Sequence, residues 1–423
     1  MNSNIENSYI NTENNFKKIG FLEFFFVIFY IIYSILPSMP TKLSFIYVVI
    51  LATAYSFFIA LTDEKLRQPV IIYLLLILII SIAYFFLTDS SGVSVYVSNF
   101  QLKKFMAKYN QFFSLFFPAI LCARFIYYGS FFQKKIALII SYISIGFVVL
   151  KTLVELAIDP NVAKQFSNID ETTVDNIANY YYVYAIPIVL SIIVMYFFHI
   201  ERKELKSVLF ITIIILLYFL LNAQYTLAFL IGLAGVYFEF FKKFKNIYAK
   251  TLILLLTFIS IFFVPFILKI IAENVESDQM ATRFTEIYNF IVLGDATGYN
   301  LNGRLTLYWK CVEAFFKSPF IGNRTLDFNG HSSILNVPAD LGLLGLIPFY
   351  YMFFKMNTHI KSLLGDKNYL FTPIFLMFFM MGMTNPIHSS TAIAAVTWLI
   401  APLAINMLFS NENDEINYIE NNS

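Results

Sequence analysis

The chain is divided into long, unbroken apolar runs, and these decide what it can fold into. They lie at 19–38, 43–61, 69–87, 112–128, 134–158, 178–198, 205–221, 224–241, 250–271, 333–354, 368–384 and 388–409. A helix crossing the hydrocarbon core of a bilayer needs about 20 mostly apolar residues, with about 17 as the lower limit. The runs are continuously apolar rather than alternating, which excludes a membrane β-barrel. Composition closes the other classes. Of 423 residues, 59% are hydrophobic and only 13% charged, whereas a soluble domain carries about 25% charged residues. A water-soluble enzyme, a nucleic-acid binder and a disordered scaffold are all excluded. The net charge of +2 supplies no field to draw in a polyanion. Cys122 and Cys311 are too few for a disulfide framework. One lies in an apolar run and the other in a polar region, so no bridge is expected between them. The expected fold is an all-α polytopic membrane protein of about 12 transmembrane helices, with a large helical exterior loop before the last three spans.

The runs set the organisation: a tail at 1–18, nine spans over 19–271, a polar connection at 272–332, three spans over 333–409 and a tail at 410–423. The first run follows Lys17 and Lys18 with no small-residue cleavage site after it, as in an uncleaved signal anchor. With the N-terminus cytoplasmic, the inner segments hold Lys65, Arg67, Lys134, Lys135, Arg202, Lys203, Lys206, Lys242, Lys243, Lys245, Lys250, Lys355, Lys361 and Lys367 as well as the first two lysines. The short outer segments hold only Lys42, Lys103, Lys104, Lys108 and Lys164. That asymmetry is the positive-inside pattern, so both termini are expected in the cytoplasm and the 272–332 connection outside. Lys103, Lys104 and Lys108 dissent mildly. They fit either a solvated loop or an outer amphipathic segment, Phe100 to Phe113, that touches anionic head groups or substrate.

Inside the long connection the pattern turns helical. Phe284, Ile287, Tyr288, Ile291 and Val292 form one apolar stripe, broken by Gly294 and Gly298. A second helix is expected to open with Asn302 as its N-cap, to carry Leu305, Tyr308, Trp309, Val312 and Phe316 on its apolar face, and to stop at Ser318-Pro319. Two such helices suggest a lid on the bundle at the lipid interface, or simple shelter for loop backbone.

The charges of this connection carry its chemistry. Arg304 is expected in the first turn of its helix, where free N–H groups and the helix dipole favour an anion. A guanidinium there completes a bidentate phosphate site. Arg283 and Arg324 are the companion cations. The bland alternative is that each is a snorkelling surface residue. His331 lies where the connection re-enters the membrane and is placed to act as a general base near neutral pH, or to serve as a hydrogen-bonded structural residue. His388, in Asn385-Pro386-Ile387-His388, is expected on the same side. No metal-ligand spacing, Walker loop, dinucleotide fingerprint or nucleophile elbow is present, so no metal or cofactor is expected.

These residues also carry a resemblance. Gly303-Arg304-Leu305, Trp309, Phe315-Phe316-Lys317-Ser318-Pro319-Phe320-Ile321-Gly322, Gly330-His331-Ser332-Ser333-Ile334-Leu335 and Leu341-Gly342-Leu343-Leu344-Gly345 follow one another in order. This succession resembles the O-antigen ligase and Wzy-type polysaccharide polymerase superfamily: an arginine–tryptophan helix, an S-P-x-x-G turn, a histidine before a span, then G-x-x-G. The sequence departs from the family at Leu221-Asn222-Ala223-Gln224-Tyr225, where Gln224 stands about where members carry a substrate-holding arginine. That shifts weight to Arg283, Arg304 and Arg324.

The resemblance implies a fold like that of fold-C glycosyltransferases and a metal-independent reaction at the outer face of the cytoplasmic membrane. A growing glycan would pass from undecaprenyl pyrophosphate to the next lipid-linked repeat unit. Arg304 and His331 would be catalytic, and Arg283, Arg324, Gln224 and His388 would bind substrate. The implied partners are the lipid-linked oligosaccharide, membrane lipid, a chain-length regulator and a flippase, with no nucleic acid. Two other readings stay open: a ligase handing the glycan to a lipid core or a protein, and a non-enzymatic transporter or flippase. The transporter reading lacks an internal repeat, and the charges noted within spans are few: Glu23, Arg124, Lys151 and Glu155.

A reporter fused after Lys245 should report cytoplasm, and one inserted near Gly298 should report exterior. Opposite signals at the two sites would reverse the orientation.

Overall fold

The computed structural model describes residues 18–43, 45–87, 100–159, 162–165, 176–223, 225–244, 246–274, 278–293, 299–323, 332–385, 387 and 390–409. Among the described residues the chain is all helical, 89% helix with no strand. The main helices are α1 (Phe21–Ile35), α2 (Phe45–Thr62), α3 (Glu64–Leu87), α4 (Phe100–Tyr128), α5 (Phe131–Ile158), α6 (Tyr180–His199), α7 (Lys203–Asn222) and α8 (Thr226–Lys243). They continue as α9 (Ile247–Ile261), α10 (Val264–Asn274), α11 (Asp278–Leu293), α12 (Tyr299–Lys317), α13 (Ser333–Leu341), α14 (Leu343–Leu364), α15 (Asn368–Thr384) and α16 (Thr391–Leu408). Six of them are long and apolar enough to cross a membrane: α3, α4 over Phe105–Tyr128, α5, α6, α7 and α16. The chain is a helical membrane protein.

Three apolar runs are shorter or broken as helices, each for a backbone reason. The run 19–38 yields the 15 residues of α1, because Leu36 is extended (ψ 113°) ahead of Pro37. The run 250–271 divides between α9 and α10 just before Pro265, whose ring and missing N–H interrupt a helix arriving from its N-terminal side. The run 333–354 divides at Gly342, which takes φ 59°. The membrane-length helix there starts at Leu343, and the nine residues before it form the separate helix α13.

Lys108 is neither in a solvated loop nor on an exposed amphipathic segment: it belongs to α4 and is buried. Helix α4 is central, packing on α3, α14 and α16. Trp398 of α16 stands among Phe353, Phe371, Phe375 and Phe378 with ring centroids 5.0–6.2 Å away. Close aromatic packing of this kind fills the bundle where lipid supplies no hydrophobic drive.

One end of the bundle, where Lys65, Arg67 and Lys134 lie, is tied by a buried ion cluster. Arg124 of α4 reaches Glu23 of α1 (Nε–Oε1 2.8 Å) and Asp63 (Nη1–Oδ2 3.1 Å). Tyr55 of α2 donates to Glu23 (2.5 Å), and Tyr128, beneath the guanidinium, donates to Asp63 (3.1 Å). Asp63 also caps α3, its Oδ1 accepting from the N–H groups of Lys65 and Leu66. Nearby, Ser130 and Gln133 form a capping box that starts α5, and Gln133 Nε2 donates to the Ile19 carbonyl.

Removing one partner from a buried ion cluster leaves uncompensated charge and costs about 3–5 kcal/mol. Arg124→Ala should therefore lower the thermal unfolding midpoint of detergent-purified protein strongly. Maleimide labelling of buried Cys122 in a Cys311→Ser background reads that transition, since both cysteines are buried and neither is in a disulfide. An unchanged midpoint would deny the cluster its structural role.

Candidate functional site

The opposite end of the bundle holds a second polar cluster, built around α13. Eight of the nine α13 residues are buried, among them Ser333, Asn336 and Asp340. Ser332 caps the helix: its Oγ accepts from Leu335 N–H and donates to the Gly382 carbonyl, each at 3.1 Å. Ser333 donates through both its N–H and its Oγ to the Asn385 carbonyl. The first turn of α13 is thus pinned to the end of α15.

Its last turn is pinned elsewhere. Tyr84 of α3 donates to Asp340 Oδ2 at 3.0 Å, and the Lys108 ammonium lies 4.7 Å above the Tyr84 ring. The backbone of 339–343 meets the turn that follows α12: Asn323 N–H donates to the Ala339 carbonyl (2.8 Å) and Leu343 N–H to the Pro319 carbonyl (2.7 Å). The approach is so close that a Cβ on Gly322 would lie 2.3 Å from Asp340 backbone, and one on Gly342 2.5 Å from the Pro319 oxygen. Both glycines also take positive φ, 67° and 59°, so both positions demand glycine twice over.

The expected site residues divide by where their backbone falls. Gln224, Arg324, His331 and His388 lie outside the described residues, as do the side chains of Arg283 and Arg304. The segments flanking them are described, and several converge. Ser332 and Ser333 follow His331 and sit on Gly382 and Asn385, close in sequence to His388. Tyr225, next to Gln224, meets Tyr180 edge to face (5.3 Å between centroids), and the Tyr180 hydroxyl donates to Asn385. Asn323, next to Arg324, bonds to the other end of α13. Arg283 stands apart, on a helix whose Phe284 packs with Leu268 in a small cluster separate from the main core.

Two expectations for α12 are corrected. The helix begins at Tyr299, so Asn302 is inside it rather than its cap, and Arg304 is the sixth residue rather than part of the first turn. No proline or other backbone interruption stands at Asn300, Leu301 or Asn302, so the helix runs through them. An anion at Arg304 would therefore lie beyond the free N–H groups of the helix start. The packed face is also different: Cys311 and Ala314 are buried against Leu335 and Ala339, while Trp309 and Phe316 are exposed. The stop at Ser318-Pro319 stands, with α12 ending at Lys317.

Sequence reading missed Tyr84 and Asp340, and named Lys108 only as part of an outer segment or loop. A signal existed for Asp340, an acid inside the apolar run 333–354, because ionisable groups in such runs are costly and cluster at functional positions. No comparable signal marked Tyr84, one of 28 tyrosines. Chemically, a buried ammonium, a carboxylate and a phenol at one end of an apolar bundle are held there by partnering one another, the phenol bonded to the acid and the ammonium over its ring. Among the described residues no group of His, Cys, Asp or Glu is arranged to hold a metal ion. No protein-family model matches the chain and no curated protein does.

Tyr84→Phe removes a donor from a fully buried carboxylate, at a cost of about 1–3 kcal/mol. Graded SDS unfolding in mixed micelles should shift to lower detergent fraction by that amount. A superimposable curve would mean that the hydroxyl contributes nothing to holding α13.

Proposed function

We propose that the protein is a repeat-unit polymerase of a surface polysaccharide, multi-pass in the cytoplasmic membrane with both termini inside. In this reading the shorter apolar helices complete a set of about 12 crossings, and the α12–α13 end faces outward. The observation that carries the reading is α13 itself: a buried, polar-ended helix that gathers the flanks of Gln224, Arg324, His331 and His388 at one end of the bundle. It is the same stretch in which the family-like residues follow one another.

The reaction joins an acceptor sugar hydroxyl to the anomeric carbon of the growing glycan and breaks that carbon's bond to undecaprenyl pyrophosphate. Negative charge grows on the leaving pyrophosphate, and arginine side chains stabilise it; Arg304 is assigned that role, with Arg283 and Arg324 as supporting contacts. The acceptor proton goes to His331, which unlike an arginine has a neutral form with a lone pair. Gln224 and His388 are assigned hydrogen bonds to the substrate. A site roofed by α12 limits water and hence hydrolysis of the donor.

Arg304→Ala should abolish chain growth at normal expression, because it removes a charged hydrogen bond worth about 1.5–3 kcal/mol or more. Arg304→Lys should rescue poorly, since a point charge lacks the fork. His331→Ala should cut extension by about 10²–10⁴-fold with donor binding nearly intact. The assay is purified protein with lipid-linked repeat unit, reading donor binding and chain extension separately. Full-length polymer from Arg304→Ala would sink the assignment, and loss of donor binding in His331→Ala would move the histidine to the phosphate. In cells, deletion should leave single repeat units on the final acceptor; polymer stranded on carrier lipid would indicate a ligase.

A further inference from the structure

Leu305, Trp309, Val312 and Phe316 form one face of α12, but this is not the face that packs. The helix sits on α13 through Cys311 and Ala314. Leu305, Trp309 and Phe316 turn outward with Phe320 beyond them, and the three aromatics are 70–73% exposed. A contiguous apolar ridge of this size marks an interaction surface.

Two observations say what covers it. The first is its level. Tyr308 donates to the carbonyl of Thr384, the last residue of α15 (3.4 Å). Beyond α12, the carbonyls of Pro319 and Phe320 accept from Leu343 and Leu344, the first residues of α14. Helices α14 and α15 form a hairpin joined through Gly365–Lys367, so the start of one and the end of the other lie at one height. Helix α12 therefore lies across the bundle end instead of rising from it. The second is continuity. Phe320 adjoins Leu344, and Leu344, Ile347, Tyr351 and Phe354 are exposed in a row along a single face of the 22-residue α14. That face is the apolar side wall of a membrane bundle, and the ridge continues it at the rim.

We infer that α12 is an in-plane interfacial helix whose Leu305, Trp309, Phe316 and Phe320 insert at the boundary of head groups and acyl chains. An indole among phenyl rings is the side-chain chemistry of that layer. Exposed Lys310 and Lys317, the latter paired with Glu313 at 2.8 Å, reach up to the head groups. The bilayer thereby fixes the height of the junction between the 318–323 turn and α13. This inference does not depend on the proposed polymerase activity.

The chain has only two tryptophans, Trp309 and the fully buried Trp398. Full-length protein is reconstituted in phosphatidylcholine–phosphatidylglycerol vesicles containing phosphatidylcholine brominated either high in the acyl chain or near its end. The Trp309 signal is the emission of the native protein minus that of Trp309→Phe; a Trp398→Phe variant gives it directly where that variant folds. The expected result is loss of the Trp309 emission with the high-bromine lipid, a smaller loss with the deep one, and little loss with aqueous iodide. Strong iodide quenching without lipid quenching would place the ridge in water. Quenching strongest at the chain end would bury the helix in the hydrocarbon, and no quenching by either agent would assign the ridge to a protein partner; each of these results overturns the inference.

Discussion

The N–H groups of Leu343 and Leu344 are released by the break at Gly342, and in an apolar bundle they have no water to turn to. They find the carbonyls of Pro319 and Phe320, while the Ala339 carbonyl takes the N–H of Asn323. The rest of the α13 end of the bundle follows from this exchange. It requires two backbones to touch, which only Gly322 and Gly342 allow. It turns α13 away from α14, so a short polar helix is held on the bundle where a continuous span would otherwise run. It also seats α12 above the starts and ends of α14 and α15. The glycines of the S-P-x-x-G turn and of Leu341-Gly342-Leu343 are thus two halves of one contact, which gives a physical reason for them to occur together.

The two ends of the bundle treat buried charge differently. At the basic end, Arg124 faces two carboxylates, and two tyrosines complete their hydrogen bonds. Every charge of that cluster has an opposite partner, and the cluster joins α1, α3 and α4 through groups that also cap or flank helix ends. At the α13 end, Lys108 and Asp340 are gathered around Tyr84, with the phenol bonded to the acid and the ammonium over the ring. The first arrangement is a staple that is complete in itself. The second is buried as well, and it lies on the helix to whose ends the segments flanking the candidate residues come.

Helix content was legible because apolar runs of membrane length admit little else. The end of α12 was legible too, at Ser318-Pro319, since that signal acts through the local backbone. What was not legible came from contacts distant in sequence. Nothing local distinguishes Gly342 as a helix break from a glycine inside a span; its partner lies at Pro319–Gly322, across α13. The stripe on α12 gave the correct face but not its direction, because periodicity identifies an apolar side without saying whether protein or lipid meets it. Small Cys311 and Ala314 proved to be the packed side, as is usual where helices approach closely in a membrane. Lys108 was read through its neighbours Lys103 and Lys104, and its burial depends on Tyr84 from another helix.

The position of α12 ties these strands together. Its inner face is made of small residues that let it lie close on α13, and its outer face of large aromatics exposed beside the α14 wall. A helix so divided has two surfaces to satisfy at once, one against protein and one against lipid. Tilting it toward either would strip contacts from the other. Because the turn after α12 supplies the acceptors for Leu343 and Leu344, any tilt would also pull on the break at Gly342 and hence on α13. The depth of the bilayer surface is in this way coupled mechanically to the helix that gathers the polar groups. In the proposed polymerase, whose donor is carried on a lipid, the site gains from being positioned by the membrane that presents that donor.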